Sequence, residues 1–294
     1  MREDSEGLKK IEKVDIGIIG GSGVYDPDIF EDSKEINLDT PFGKPTSVIS
    51  LGWVRDKRVA FISRHGRGHI YSPTKVNYMA NIFAFKKLGV QDIISVCSVG
   101  SLREDIKPLD IVIPDQIYDR TKNRANTFFE DLVAHISFAE PFCKRLSRTI
   151  YDLAVKKGYT GIKQGGTYVC IEGPQFSTKA ESNVYRRLGF DLVGMTAIPE
   201  AKLAREAEIC YATLAMVTDY DVWREKEEVS VSLVEENVGL NVAKVKAILK
   251  DIIPDLKNAE CECKNSLSDA VITNLNFLDK NDLESLSIFL KKYV

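Results

Sequence analysis

No run of roughly 20 apolar residues occurs in the sequence, which argues against a membrane-spanning helix. Long basic stretches are missing as well. Forty Lys and Arg stand against 43 Asp and Glu, for a net charge of −3, so the footprint of a nucleic-acid binder is absent and a small-molecule partner is expected. The first thirteen residues, MREDSEGLKKIEK, lack the apolar core of a signal peptide or anchor; the expectation is a soluble, cytoplasmic protein with neither membrane nor nucleic acid as partner. There is no internal repeat and no low-complexity linker. Glutamine is scarce, at four residues, beside abundant Lys and Glu, a balance found in heat-stable proteins.

What is present suffices for a large core: 294 residues, 44% of them hydrophobic. Short β-branched apolar runs alternate with helical patterns from Val14 to about Pro254. Strands are expected at Val14–Ile19, Thr46–Leu51, Arg58–Ser63, Asp92–Val99, Asp110–Pro114, Thr167–Ile171, Asp191–Met195 and Tyr211–Thr218. Helices are expected at Thr74–Leu88, Glu140–Lys157, Lys179–Leu188, Ile198–Glu208 and Ser230–Ile252, with Gly89, Gly158 and Gly189 as stop signals. The alternation gives the fold class: a single-domain α/β protein with a mixed β-sheet flanked by helices. A charged tail (1–13) precedes the main domain (14–260). A C-terminal segment (261–294) carries Cys261-Glu262-Cys263 and an amphipathic helix with Leu283, Leu286, Phe289, Leu290 and Tyr293 on one face.

Residues suited to chemistry gather where strands end. Gly20-Gly21-Ser22-Gly23 follows the first strand and lets backbone N–H groups approach an anion; it lacks the spacing of the dinucleotide fingerprint. Arg64-His65-Gly66-Arg67-Gly68-His69 is a compact cationic loop suited to bidentate phosphate recognition. Cys97-Ser98-Val99-Gly100-Ser101 ends a third strand. Ligands of open α/β sheets sit beyond the carboxyl ends of strands, so these three ends converge on an anion site. Glu172-Gly173-Pro174-Gln175-Phe176-Ser177 offers an aromatic face, Gly194-Met195-Thr196 ends the next strand, and Thr218-Asp219-Tyr220-Asp221 carries two carboxylates. Two carboxylates are few for a hard metal ion. Cys261 and Cys263 have no His or further Cys following them in the chain, so no metal site is expected there.

The ordered set of segments GIIGGSG, DTPFGKP, SRHGRGH, PTKVNYMAN, GSLRE, DIVIPDQIYDRT, IEGPQFS, GMTAIPE and TDYD resembles the purine nucleoside phosphorylase superfamily in its trimer-forming branch. Within that branch it resembles the S-methyl-5′-thioadenosine phosphorylases. The resemblance runs from Gly17 to about Pro254. It implies phosphorolysis of a purine nucleoside as part of purine and methionine salvage, with phosphate as co-substrate and no metal or organic cofactor. By the same resemblance Ser22, Arg64, His65, Cys97, Ser98 and Thr196 bind phosphate, Cys97 standing where animal enzymes commonly have Thr. Met195 lies beside the ribose, and Phe176 walls the base pocket.

Asp219, with Asp221 beside it, is the implied proton donor to the leaving base. Related 6-oxopurine enzymes place Asn at the position of Asp219 and Glu at that of Ser177, so this chain's residues favour adenine. Val231 and Val234 replace a His that meets a 5′-hydroxyl and suit a methylthio group. His135 matches a residue given by a neighbouring subunit, which implies a homotrimer or homohexamer. A 6-oxopurine or broad-specificity phosphorylase and a non-catalytic nucleoside sensor are the alternatives. Cys143 and Cys210 fall off the catalytic positions of the family. The expectation for them is a mutual disulfide, with Cys261 and Cys263 a separate redox pair and four reduced thiols the alternative.

Overall fold

The apolar run Ile16-Gly17-Ile18-Ile19-Gly20 is wholly buried as strand β1 (Ile16–Gly20), and the sheet grows from it in both directions. The computed structural model describes residues 13–21, 23–24, 30–224, 231–279 and 286–293, the side chains of 231–234 excepted. Ser22, most of the charged tail, Asp282 and Leu283 therefore lie outside the described residues. The remaining strands are β2 (Glu31–Ile36), β3 (Ile49–Val54), β4 (Lys57–Ser63), β5 (Asp92–Ser101), β6 (Ile111–Ile113), β7 (Gln116–Arg120), β8 (Ile162–Gln164), β9 (Thr167–Ile171), β10 (Leu192–Gly194) and β11 (Cys210–Asp219). The helices are α1 (Tyr78–Lys87), α2 (Lys144–Lys156), α3 (Lys179–Arg187), α4 (Ala197–Glu206) and α5 (Val231–Ile252).

Among the described residues these strands form one mixed sheet in the order β2-β3-β4-β1-β5-β10-β9-β7, with β11 pairing β5 and β6, and β8 pairing β6. Strand β5 is the junction. It runs parallel to β1 over its first half, parallel to β11 over most of its length, and antiparallel to β10 at its end. Since β4, β1, β5 and β11 are mutually parallel, their carboxyl ends open at one edge, where ligands of such sheets sit. Helices cover both faces. Residues of α1 and α4 join one apolar cluster, and residues of α2 and α5 join the other.

All eight strands and the five helices expected in the main domain are present, and of the expected C-terminal helix residues 286–290 are helical among the described residues. The three strands missed, β2, β7 and β8, lie at sheet edges and bury little. An edge strand needs no apolar run and is often charged, so periodicity does not reveal it. Helix α1 begins later than expected because Pro73–Lys75 form a separate 3-10 turn. The Asn77 side chain then accepts from the Ala80 N–H as N-cap. No helix among the described residues is long and apolar enough to cross a membrane.

Two expectations about cysteine are corrected. All six cysteines are free, so neither Cys143–Cys210 nor Cys261–Cys263 forms a disulfide. The fold draws Cys143, Cys210, Cys261 and Cys263 into one cluster whose sulfurs lie within 4.8 Å of one another. Partners for Cys261 and Cys263 thus come from far upstream, where nearest-neighbour spacing does not look.

The C-terminal segment packs on the same core. Phe289 sits 4.6 Å, centroid to centroid, from Phe128 and 5.8 Å edge-on from Phe83 and Phe129, and is 1% exposed. Truncating a buried phenylalanine removes its transfer free energy and leaves a cavity. Phe289→Ala is expected to lower stability by about 3–5 kcal/mol in urea unfolding. A change below about 0.5 kcal/mol, the range of neutral surface substitutions, would show that the segment does not dock.

Candidate active site

A cavity of about 590 Å³ opens at the carboxyl edge of the sheet. Of the residues singled out from sequence it is lined by Arg64, His65, Cys97, Ser98, Phe176, Ser177, Met195, Thr196, Asp219 and Asp221. The alternation of β5 sends the exposed Ser98 into it while Cys97 is buried. Burial pushes the Cys97 thiol up to about 11, so it stays protonated. His135 is exposed and does not line the cavity of its own chain. Val231 and Val234 have side chains outside the described residues, but Glu235 and Val238 of the same helix line the cavity.

Arg64 is 1% exposed, and its counter-charge is Glu200, which is fully buried. Nε donates to Glu200 Oε1 at 2.5 Å and Nη2 to Oε2 at 3.1 Å. Nη2 also donates to Ser95 Oγ at 2.7 Å, and Nη1 to the Val96 carbonyl at 2.9 Å. Burial alone would lower its pKa, but the Glu200 carboxylate more than offsets this and holds it above the ordinary value. With the carboxylate taking the fork of the guanidinium, bidentate pairing with phosphate through that fork is ruled out. The second hydrogen of Nη1 remains. Arg67, the other arginine of the loop, is exposed and paired with Glu35.

His65 differs in charge. Burial, and then the Arg64 charge, lower its pKa to about 4, so the ring is neutral near pH 7. Nδ1 lies 2.9 Å from the Tyr71 carbonyl oxygen. A carbonyl only accepts, so Nδ1 carries the proton and Nε2 is an acceptor. His69 stacks on the ring at 4.3 Å.

The two carboxylates stand at the end of β11, beyond a bulge between Val217 and Asp219 that brings Asp219 opposite Gly100. Asp219 Oδ2 accepts from the Thr218 hydroxyl at 2.7 Å, and Oδ1 from the Asp221 N–H at 2.8 Å. Burial pushes the Asp219 pKa up. Burial, with the Asp219 charge beside it, pushes Asp221 up to about 6. Asp221 also holds a φ of 51°, the left-handed backbone that a non-glycine residue adopts only where its surroundings impose it. Gly100 gives the pair its room: a Cβ there would stand 2.9 Å from Asp219 Oδ1 and 3.3 Å from the Asp221 nitrogen.

Three buried polar atoms have no hydrogen-bond partner in the protein and belong to residues lining this cavity: Thr196 Oγ1, Ser177 Oγ and Asp221 Oδ2. Residues 15–254 match the sequence profile of the phosphorylase superfamily.

The chain belongs to the phosphorylase superfamily.

Within this superfamily it is 47% identical over 284 residues to the S-methyl-5′-thioadenosine phosphorylase of Koribacter versatilis (strain Ellin345), covering 96% of this chain and 97% of that one. A solved methylthioadenosine phosphorylase sourced from an antarctic soil metagenomic library superposes with a TM-score of 0.90 at 42% identity, over 95% of this chain and 99% of the other. The methylthioadenosine phosphorylase of Schistosoma mansoni in complex with adenine gives 0.80 at 34% identity, over 95% and 98%.

Glu200 and Arg124 are site residues that the sequence reading passed over. Glu200 is the one acid in the apolar stretch Ala197-Ile198-Pro199-Glu200-Ala201, and a lone carboxylate in such a stretch needs a buried cation. Arg124 donates to the carbonyls of Met195 and Glu172, both at 2.6 Å. It thereby fixes the roots of the two loops that carry Met195 and Phe176. No local pattern marks it. The superfamily site makes a prediction at Gly100. Gly100→Ala must displace the acid pair, and a misplacement near 1 Å costs about 10²-fold. A loss of that order in kcat/KM with an unchanged urea midpoint is expected, whereas full activity would show that the pair's position does not matter.

Proposed function

We propose that this phosphorylase cleaves S-methyl-5′-thioadenosine with inorganic phosphate, giving adenine and 5-methylthioribose 1-phosphate, with no cofactor. The observation that carries the reading is one cavity lined at one end by Arg64, His65, Ser98 and Thr196 and at the other by Ser177, Asp219 and Asp221. Ser98 and Gly100 are two residues apart on β5, so the anion end and the acid end are separated by about 7 Å along the strand. That interval suits a ribosyl group. The names of the relatives agree with this substrate.

Phosphate is held by Arg64, His65, Ser98 and Thr196, with Ser22 and the backbone of Cys97 completing the cradle. The neutral His65 accepts from a P–OH, which matches a protonated phosphate. As the C1′–N9 bond breaks, the sugar gains oxocarbenium character and the electron pair moves onto the purine. A phosphate oxygen then bonds to C1′. The pair Asp219 and Asp221 shares one proton, which goes to purine N7, and the resulting carboxylate accepts from the exocyclic amine. Phe176 and Ser177 flank the base, and Met195 the ribose. The resemblance assigns Val231 and Val234 to the methylthio end, and Glu235 and Val238 of the same helix line the cavity.

The enzyme works in the cytoplasm as a homotrimer or homohexamer, with His135 of a neighbouring subunit closing the 5′ end. Support comes from the exposed apolar residues beside His135: Val133 and Ile272 are exposed, and Ala134 bridges to Val271.

Asp219→Asn supplies an amide that cannot release a proton to N7 but donates to a 6-oxo group. Turnover of methylthioadenosine is expected to fall by about 10²–10⁴-fold, with methylthioinosine gaining in relative kcat/KM. An unchanged ratio would place Asp219 away from the base. The raised pKa also gives a sign in pH. The competent form is protonated, so kcat/KM falls as pH rises through the value of the pair, near 6 for Asp221. A flat profile between about pH 5 and 8 would exclude a carboxyl donor.

A further inference from the structure

Phosphorolysis makes no use of the second cluster of reactive side chains. Cys143 is the N-cap of α2, its Sγ accepting from the Leu146 N–H at 3.4 Å. Cys210 opens β11, and Cys261 and Cys263 come from the C-terminal segment. The sulfurs of Cys143 and Cys261 are 3.4 Å apart, far beyond the roughly 2.05 Å of a disulfide, and all four lie within 4.8 Å of one another. A tetrahedral tetrathiolate with metal–sulfur bonds of about 2.3 Å sets its sulfurs about 3.8 Å apart.

We infer that Cys143, Cys210, Cys261 and Cys263 form a closed structural site for a thiophilic divalent cation of the zinc type.

Four sulfur ligands complete the preferred coordination of such an ion and leave no position for substrate. Loading releases the thiol protons, up to four, and leaves a centre of charge −2. Two arginines border the same groove: Arg145, paired with Asp92, and Arg205, which donates to the Glu140 carbonyl. Their charges favour the thiolates. Cys143, Cys210 and Cys263 are buried while Cys261 is half-buried at the groove, which provides a way in for the ion.

Cys210 and Asp219 are the two ends of β11, about 30 Å apart in an extended strand, so the ion touches no reacting atom. Its effect is to clamp the C-terminal segment to α2 and β11.

The test uses the full chain, purified anaerobically under reductant after growth with added zinc. Metal analysis is expected to find one zinc per chain. Cobalt(II) added to the reduced, metal-free protein is expected to saturate at one per chain, with the intense tetrahedral ligand-field and sulfur-to-metal charge-transfer bands of a tetrathiolate. A Cys261→Ser, Cys263→Ser double variant should lose the bands, and Cys170→Ser, altered outside the cluster, should keep them. No uptake of zinc or cobalt by the reduced chain overturns the assignment, as do bands that survive in the double variant. Intact mass showing disulfides that, once reduced, still give a chain without cobalt bands overturns it equally.

Discussion

A guanidinium with almost no access to solvent cannot stand without a counter-charge, and the pairing of Arg64 with Glu200 organises everything above it. Arg64 leaves the end of β4, and its nitrogens reach Ser95 and the Val96 carbonyl on β5. Glu200 comes from α4 and also accepts from the Tyr211 hydroxyl on β11 at 2.9 Å. One ion pair thus ties three strands and a helix together directly beneath the anion end of the cavity. Replacing one partner alone would leave a buried charge uncompensated, at a cost of about 3–5 kcal/mol. In the proposed reaction the pair also sets how phosphate would be met: with its fork held by the carboxylate, Arg64 would offer its remaining Nη1–H, and the neutral His65 and the hydroxyls of Ser98 and Thr196 would supply direction.

The acid end rests on a different constraint. Two neighbouring carboxylates, both buried, cannot both ionise without cost. Their backbone is placed by the bulge in β11, and Asn237 and Asn241 of α5 donate to the Thr218 and Val217 carbonyls at 2.7 and 2.8 Å. Gly100 leaves the space they occupy. The same strand end therefore combines carboxyls of raised pKa with backbone strain, as active sites commonly do. One end of the cavity thus holds the Arg64–Glu200 pair with the neutral His65, and the other holds two carboxyls with raised pKa, the arrangement on which the proposed phosphorolysis rests.

Much of this was legible in the sequence because the strands that carry the site are buried and apolar. Their ends are marked by abrupt changes in residue type, as at Ile62-Ser63-Arg64-His65 and Val217-Thr218-Asp219. Glu200 and Arg124 escaped notice, and Gly100 was seen only as part of a strand end, since each acts through a contact made only in three dimensions. Arg124 reaches carbonyls 48 and 71 residues away. The cysteines illustrate the same limit: position in the chain suggested two pairs, whereas packing of the C-terminal segment against α2 and β11 gathers all four thiols. The edge strands β2, β7 and β8 went unseen for want of apolar residues.

The proposed reaction requires phosphate to be the nucleophile. The most direct measurement follows methylthioadenosine and inorganic phosphate with the enzyme by phosphorus NMR while adenine is quantified. The account predicts that inorganic phosphate is converted to a sugar 1-phosphate one for one with adenine, and that no adenine forms when phosphate is left out. Adenine released with free methylthioribose, at an undiminished phosphate signal, would contradict it.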